Sequence, residues 1–140
     1  MNELRFVCVR AFRAAISAVQ PYERVRTALK VTGSQLSVGQ RIYQLNHNVH
    51  LAAVGKAALG MVQGAEASIG GHVVEGIASV PRNTIAKIPS GARIVTQFFE
   101  GATNNLPDED ACINAERIEA MARHLRDPND LFIVLISGWS

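Results

Sequence analysis

Short apolar runs alternate with segments of helical spacing, and this alternation is the feature that most constrains the fold. The runs are VHLAAV (49–54), EGIASV (75–80), RIVTQFFE (93–100) and LFIVLI (131–136). They indicate strands that are buried on both faces, because they lack a consistently polar face. Such strands belong to parallel sheets with a helical layer on each side. The sequence therefore predicts an α/β fold: a three-layer, Rossmann-like domain whose mainly parallel sheet is flanked by helices, with LFIVLI as a central strand.

Segments of helical spacing lie before and between these runs. We predict helices over about 2–19, 21–30, 56–69 and 108–126, and a polar, turn-rich region over 32–48 around a short strand at 36–38. The apolar stripes are Ala58, Met61, Val62, Ala65 and Ile69 in the third helix, and Ala111, Ala115, Ile118, Ala122 and Leu125 in the fourth. Gly60 and Gly64 weaken the third helix intrinsically, which indicates close packing of its backbone against the sheet.

The composition fits one globular domain. A chain of 140 residues is long enough for one core and short for two domains. The net charge of +2 is small and the basic residues form no run, so we expect no nucleic-acid partner. Cys8 and Cys112 are far apart, which argues against a disulfide framework or a CxxC motif. Charge, glycine or proline interrupts each apolar run within about ten residues, so we expect no membrane partner.

The N-terminal segment allows two interpretations. It carries Arg5, Arg10 and Arg13 with one acid, Glu3, as an amphipathic mitochondrial presequence would. Its apolar residues follow helical spacing, and Ser17 is its one serine, whereas presequences are usually rich in serine. We favour an ordinary surface helix of a cytoplasmic protein, with a mitochondrial location as the alternative.

Lys56 stands where a parallel sheet would place an anion site. It follows Gly55 directly after the first apolar run, in the predicted first turn of the next helix. Unpaired N–H groups and the positive end of the dipole attract phosphates and carboxylates to a helix N-terminus. The positive charge of a lysine is repelled by the positive end of that dipole, so its presence indicates an anion between the lysine and the helix N-terminus. The segment is neither a Walker A loop nor a GxGxxG fingerprint, and a solvated lysine is the alternative interpretation.

The loop FEGATNNLPDEDA (99–111) is a second candidate at the same edge of the sheet. Asn104, Asn105 and Asp108 offer hydrogen bonds to a small hydroxylated ligand, and Glu100 adds a carboxylate. Asp108 also suits the N-cap of the following helix, which would explain it without a ligand. The histidines have no cysteines or carboxylates at ligand spacing, so we expect no metal site built from protein side chains.

Several of these segments together resemble the class II glycerate kinases, the glycerate 2-kinases. The shared segments are AVQPYERVRTAL, VGKAALGMVQGAE followed by GIASVP, EGATNNLPD, and DLFIVLISG. They occur in the family's order from about Ala14 to Gly138, which is nearly the whole chain. Several motifs in register make the resemblance far more specific than any one of them alone.

The resemblance implies an ATP-dependent transfer of phosphate to the 2-hydroxyl of D-glycerate, giving 2-phosphoglycerate, with Mg²⁺ bound to the nucleotide. Family members look like two α/β domains with the active site between them, and this chain matches the first. Lys56 matches the lysine of the family's GKA motif and is the implied catalytic residue. The family's NLPD loop, which lines the cleft, falls on Asn105 to Asp108. The implied substrate- or phosphate-binding residues are Gly55, Asn105, Asp108, Ser137 and Gly138.

The C-terminus departs from the family pattern. Family members continue from the last strand through a glycine-rich SGGGSALL segment, which resembles a phosphate cradle, and then through a second domain. Ser137 and Gly138 match that segment, but Trp139 replaces the glycines that would let backbone N–H groups close around a phosphate. We therefore expect residues 1–140 to form a single partial N-terminal domain, incomplete at its C-terminus and inactive alone.

Two other functions stay open. The chain also suits a non-catalytic interaction module, or a regulatory truncated isoform, that associates with a full-length enzyme or with itself through an exposed sheet edge. A small Rossmann-like nucleotide binder is the third hypothesis, although no nucleotide-binding fingerprint is intact.

Overall fold

The computed structural model describes residues 3–103 and 106–137. In chain order the elements are α1 (Glu3–Val19), α2 (Pro21–Ala28), β1 (Leu29–Thr32), β2 (Gln35–Val38), β3 (Arg41–Gln44), β4 (Val49–Val54), α3 (Ala58–Ile69), β5 (Val73–Val80), β6 (Gln97–Glu100), α4 (Glu109–Arg123) and β7 (Leu131–Ile136). Short 3₁₀ turns at Gly70–His72 and Ile85–Lys87 precede β5 and β6.

The main sheet has four strands in the order β6-β5-β4-β7, and every neighbouring pair is parallel. Leu51 of β4 pairs with Gly76 on one side and with Ile133 on the other. α3 packs on the face that carries Leu51 and Ala78, while α4 bonds to Ser79, which points to the opposite face. The predicted α/β fold, with a parallel sheet between helices, is confirmed.

The prediction that LFIVLI is central is wrong for the described sheet, because β7 lies at its edge. Val134 is 47% exposed and Ile136 is 68% exposed. The chain leaves β6 at one edge, passes through α4 and returns on the far side of β4, so that β4 and β5 become central. The apolarity of a strand reports how much surface it has to bury, whereas the connections decide its position in the sheet.

The two main helices test the predicted stripes. All five predicted residues of α3 are buried, which confirms that stripe. In α4 four of the five predicted residues are half-buried, but Ala115 is exposed and the buried positions are Asn114 and Met121, so the predicted stripe is correct only in part. The amide of Asn114 donates to Ser79 Oγ at 3.1 Å and turns this polar residue toward the sheet. A pattern of apolar residues cannot reveal a contact of that kind.

The region over 32–48 contains more structure than its polarity indicated. β1, β2 and β3 form an antiparallel meander, of which only β2 was predicted. Gly33 and Gly39 hold positive φ angles of 61° and 60° in its two tight turns. The pair Gly33-Ser34 between two short runs is a hairpin signal that was available in the sequence. The predicted helix over 21–30 ends early, because Leu29 begins β1.

β6 is shorter than the predicted strand at 93–100. The backbone N–H groups of Val95 and Thr96 donate to the carboxylate of Glu66 on α3, at 2.7 and 3.2 Å. Ladder pairing with β5 therefore begins at Gln97. A side chain that is 29 residues away in sequence from Val95 takes the place of a neighbouring strand.

The glycines of α3 do allow close packing, but against α2 rather than the sheet. A Cβ atom on Gly60 would lie 3.2 Å from Cβ of Pro21, and one on Gly64 would lie 2.5 Å from the carbonyl oxygen of Tyr22. The expected contact with the sheet is therefore wrong. The backbones of α2 and α3 approach each other here because neither glycine carries a side chain.

Gly64→Ala should lower the free energy of unfolding by about 1–3 kcal/mol, because the methyl group would collide with backbone of α2 that cannot rotate away. Urea denaturation measures the change. Gly71→Ala is the control, because a Cβ there meets no atom within 4 Å. Equal stability of the two variants would contradict the proposed tight packing.

Candidate functional site

The loops that follow the four parallel strands lie at one edge of the main sheet. This edge is the carboxyl edge, where open α/β sheets bind ligands. Ser137 N donates to the carbonyl of Val54 at 3.1 Å, and Gly101 N donates to the carbonyl of Val80 at 2.9 Å. Residues that follow β7 and β6 are therefore tied to the ends of β4 and β5. The segments after β4 and β6, which hold the two candidate sites of the sequence analysis, therefore lie at the same edge.

Gly55 and Ser137 are brought into contact at this edge. Gly55 has a φ angle of 112°, and a Cβ atom on it would collide with the hydroxyl of Ser137. That hydroxyl accepts a long hydrogen bond from Ala57 N and donates one to the carbonyl of Val54, both at 3.4 Å. Glycine is required at position 55 for both conformation and space.

Lys56 lies just before α3 rather than in its first turn, which corrects the predicted position. Ala58 N bonds to the carbonyl of Gly55 in a turn, and helical bonding starts with Met61 N donating to Ala57. The Lys56 side chain is exposed. Within residues 3–103 and 106–137 it has no hydrogen bond or ion pair. The lysine therefore presents an uncompensated positive charge at the carboxyl edge.

The start of α3 has no side-chain cap. Its N-cap residue is Ala57, whose side chain accepts no hydrogen bond. No acceptor for the N–H groups of Leu59 and Gly60 is found in the described part of the chain. Uncapped N–H groups and the helix dipole favour an anion at this point. Lys56 and the α3 terminus thus form one electropositive corner.

Asp108 is the N-cap of α4, as predicted. Its Oδ1 accepts from Ala111 N at 2.8 Å, and its Oδ2 accepts from Ala102 N at 2.7 Å and from Arg82 Nη2 at 2.9 Å. The bond from Ala111, followed by those from Ala102 and Arg82, holds the pKa of Asp108 below its ordinary value, against opposing desolvation. Both carboxylate oxygens are engaged, so Asp108 closes the loop between β6 and α4.

Arg82 is compensated, unlike Lys56. Its Nη2 donates to Asp110 Oδ2 at 2.8 Å and to Asp108 Oδ2 at 2.9 Å. Hydrogen bonding to Asp110 and Asp108 raises the pKa of Arg82 further above its ordinary value. The cluster holds one positive and two negative charges and is therefore a poor anion site. The sequence carries no signal for it, because Arg82 and Asp108 are 26 residues apart.

Asn114 also fixes the carboxyl edge and was missed by the sequence analysis. Its side chain is almost fully buried and donates to Ser79 Oγ and, at 3.3 Å, to the carbonyl of Phe99. Its Oδ1 accepts from Arg117, whose guanidinium lies 4.1 Å from the centre of the Phe99 ring. Glu100 adds a further tie, because its carboxylate accepts from Ile85 N at 3.0 Å. These contacts join α4, β5 and β6.

Two predicted site residues, Asn105 and Gly138, lie outside the described residues, together with Asn104 and Trp139. The described part of the site therefore brings together Gly55, Lys56 and Ser137 beside β4. Asp108 belongs to the neighbouring loop after β6. Its described contacts are with protein groups rather than with these three residues.

The histidines lie away from the carboxyl edge, and none joins the site. His47 contacts His72 near the amino ends of β4 and β5. The Nδ1 atom of His50 is 2.8 Å from a carboxylate oxygen of Glu75, while its Nε2 is 3.7 Å from Asp130. Within the described ranges, no three His, Cys, Asp or Glu side chains are grouped to hold a metal ion. No described helix is both long and apolar enough to cross a membrane.

Comparisons with known proteins place this geometry in context. Residues 7–140 match a family model described as a domain of unknown function, DUF4147. The chain is 39% identical over 137 residues to the glycerate kinase of Rattus norvegicus and 38% identical over 148 residues to that of Danio rerio. These alignments cover 91% and 99% of this chain but 26% and 29% of the relatives.

Archaeal proteins are also similar to the chain. A glycerate 2-kinase of Pyrococcus horikoshii is 27% identical, over 97% of this chain and 29% of its own length. A crystal structure of a protein from Pyrococcus horikoshii OT3 superposes with a TM-score of 0.81 at 25% identity, covering 99% of this chain and 30% of that one. The chain thus spans less than a third of each relative. The similarity to glycerate kinases indicated by the motifs is confirmed.

Asp108→Asn should lower stability in a pH-dependent way, because asparagine still caps a helix but carries no charge. The folded pKa lies below the ordinary value of 3.8, so the charge stabilises the fold above that pH, and the contribution disappears as pH falls through the folded pKa. Urea denaturation at several pH values should show the two proteins converging in acid. Glu109→Gln is the control, and a constant difference at every pH would contradict the prediction.

Proposed function

The chain belongs to the DUF4147 domain family, and on that premise we propose that it is a glycerate 2-kinase polypeptide. The proposed reaction is ATP-dependent transfer of phosphate to the 2-hydroxyl of D-glycerate, which gives 2-phosphoglycerate. Residues 1–140 would supply the N-terminal part of the first domain and one wall of its cleft. Similarity to proteins named glycerate kinase over nearly the whole chain supports this proposal.

The observation that carries the proposal is the exposed ammonium group of Lys56 beside the uncapped start of α3. α4 begins at the same edge, but Asp108 caps it and two aspartates neutralise Arg82. Lys56 has no such compensation in the described chain. An anion bound here would receive the lysine charge and the open N–H groups together. Both the carboxylate of glycerate and the transferred phosphoryl group have the required charge.

Phosphoryl transfer depends mainly on positioning and on the stabilisation of developing negative charge. Lys56 would stabilise that charge, and we propose it as the catalytic residue. Gly55 would let the chain turn closely past Ser137, whose hydroxyl holds the turn between β4 and α3. Asp108 would act by shaping the loop that contains Asn105, because its own oxygens are occupied. Gly138 remains a proposed phosphate-binding residue.

A kinase needs a nucleotide as phosphoryl donor, and we propose ATP. Mg²⁺ would be held largely by the nucleotide phosphates, as is usual for this ion. Asp108 has no free oxygen for a metal, and Asp110 faces Arg82. The described residues therefore fit a metal that arrives with its nucleotide better than a metal bound to the protein. Mg²⁺ would neutralise charge on the phosphates.

The chain alone should form no appreciable 2-phosphoglycerate from ATP and D-glycerate, because it spans less than a third of the related kinases. In a chimera where it replaces the matching segment of the rat enzyme, Lys56→Ala should lower kcat about 100-fold or more. A coupled assay for 2-phosphoglycerate measures both.

Lys30→Ala is the matched control, because it removes another exposed lysine that lies far from the carboxyl edge. It should leave the kcat of the chimera unchanged. A near-normal rate for the Lys56 variant would remove Lys56 from the mechanism. A folded chimera without activity would contradict the kinase function of this chain. Turnover by the 140-residue chain itself would contradict the expectation that it is inactive alone.

A second candidate function, a non-catalytic interaction module, is favoured by the exposed edge of β7. Val134 and Ile136 point to the sheet face on which α4 packs mainly over β5 and β6. An apolar edge strand offers unpaired backbone groups as well as apolar surface to a partner. The partner would be a full-length enzyme or another copy of this chain.

Ile136→Lys should weaken such association about tenfold or more, because it places an unpaired charge in the interface. Size-exclusion chromatography of the chain, with and without the complete enzyme, measures the association. Ile42→Lys is the control, since Ile42 is 65% exposed and lies on the separate meander. Association that is unchanged by Ile136→Lys would exclude the β7 edge as the interface. Elution of the chain as a monomer, both alone and with the complete enzyme, would exclude the function of an interaction module.

We propose a cytoplasmic location for the kinase and keep import into mitochondria as the alternative. The arginines of α1 support the alternative, because targeting helices are basic and amphipathic. Fractionation of cells that express the complete chain with a C-terminal tag would distinguish the two. If the tagged protein recovered from mitochondria lacks its first residues, import is favoured.

A further inference from the structure

α4 buries an amide where an apolar side chain would be usual. Asn114 is 1% exposed and faces the sheet. Its Nδ2 donates to Ser79 Oγ at 3.1 Å and to the carbonyl of Phe99 at 3.3 Å, while its Oδ1 accepts from Arg117 at 2.9 Å. A buried amide adds little net stability, because its bonds mainly offset the loss of water. Its bonds do fix the relative position of the groups that they join.

These bonds fix the point where the chain leaves β6. Phe99 and Glu100 end that strand, and the Nδ2 atom of Asn114 lies 3.5 Å from the carbonyl oxygen of Glu100. The next residue, Gly101, lies under the first turn of α4, where a Cβ atom on it would be 2.8 Å from Ala111 N. Both contacts come from α4. The helix therefore sets the direction in which the following loop starts.

The same helix also holds the end of that loop. Asp108 caps α4, and its Oδ2 accepts from Ala102 N at 2.7 Å, so the two ends of the loop are joined directly. Ala102 has a φ angle of 46°, which is unusual for a residue other than glycine. Surface loops whose ends are held together are frequently functional. The β6–α4 loop, residues 102–108, is therefore held by α4 at both ends.

The β6–α4 loop has an acidic base, in contrast to the corner at Lys56. The sequence from 97 to 110 contains no basic residue and four acids, which are Glu100, Asp108, Glu109 and Asp110. Arg82 neutralises part of this charge, because it donates to Asp108 and Asp110. The net charge there remains negative and repels the phosphates of a nucleotide. Uncharged hydroxyl groups are not repelled and can bind at such a loop.

We propose that Asn114 is a positioning residue, which holds the β6–α4 loop where it binds the hydroxyl groups of D-glycerate. This role rests on the proposed function of the chain as a glycerate 2-kinase. Asn114 is buried against the end of β6, so it acts through the loop rather than by contact with the substrate. The anion site at Lys56 and the hydroxyl site at the loop bind different parts of the reactants.

The chimera with the rat enzyme tests this role, with each substrate varied in turn in the assay for 2-phosphoglycerate. Asn114→Leu approximately keeps the volume of the side chain and removes every bond of the amide. It should raise KM for D-glycerate about tenfold, because a displaced loop weakens binding of the substrate that it contacts, and leave KM for ATP unchanged. Arg117→Ala removes the donor to Oδ1 from an exposed position, so the fold is retained. It should raise KM for D-glycerate by less, again without a change for ATP.

Met121→Ala and Arg123→Ala are the matched controls. Met121 is the other buried residue of α4 and lies about two turns beyond Asn114. Its truncation leaves a cavity that lowers stability. Arg123 is another exposed arginine of the same helix and pairs with Glu119. Both controls should leave both KM values unchanged.

The possible outcomes separate a positioning role from a structural one. An equal rise of the two KM values, or the same rise in a control, would overturn the proposal in favour of a structural role. Unchanged KM for D-glycerate in both Asn114→Leu and Arg117→Ala would overturn it and leave the kinase function intact. If Asn114→Leu does not fold, Arg117→Ala alone decides. An inactive unmodified chimera would contradict the proposed function and the role of Asn114 with it.

Discussion

The parallel pairing of β4 with β5 on one side and β7 on the other is the constraint on which the candidate site depends. It places the ends of three strands at one edge, although β7 ends 82 residues after β4. Ser137 then reaches the carbonyl of Val54 and the turn at Gly55. The pairing therefore builds a contact between two segments that are distant in sequence, and Lys56 projects from that contact.

The two helices that begin at this edge have opposite electrostatic states. Asp108 satisfies the N-terminus of α4, and Arg82 is neutralised by two carboxylates. α3 begins at Ala58 with no side-chain cap from Ala57, and Lys56 stands beside it without a partner in the described ranges. A helix start that lacks an internal acceptor favours an external anion. The start of α3 can therefore bind an anionic ligand, whereas the N–H groups and charges at the start of α4 are already satisfied within the protein.

Local features of the sequence predicted their structures well. The strand at 49–54 was predicted with its observed bounds, because all its residues except His50 are apolar and the strand is buried on both faces. The stripe of α3 and the cap at Asp108 were also predicted, since both depend on spacing within one helix. The meander was missed although the pair Gly33-Ser34 signalled its first hairpin. The contacts of Asn114 and Arg82 had no local signal, because their partners come from other elements.

The amino-acid sequence by itself determined the class of fold, the centres of the four parallel strands and of the helices, and Lys56 as a cation after a strand. These properties follow from short-range periodicity and from the chemistry of single residues. Only the tertiary structure decided that β7 lies at the edge, that Gly64 packs on α2, and that Arg82 is neutralised while Lys56 is not. Order in a sheet, backbone contact and charge compensation depend on which distant segments meet, and a one-dimensional pattern does not contain that information.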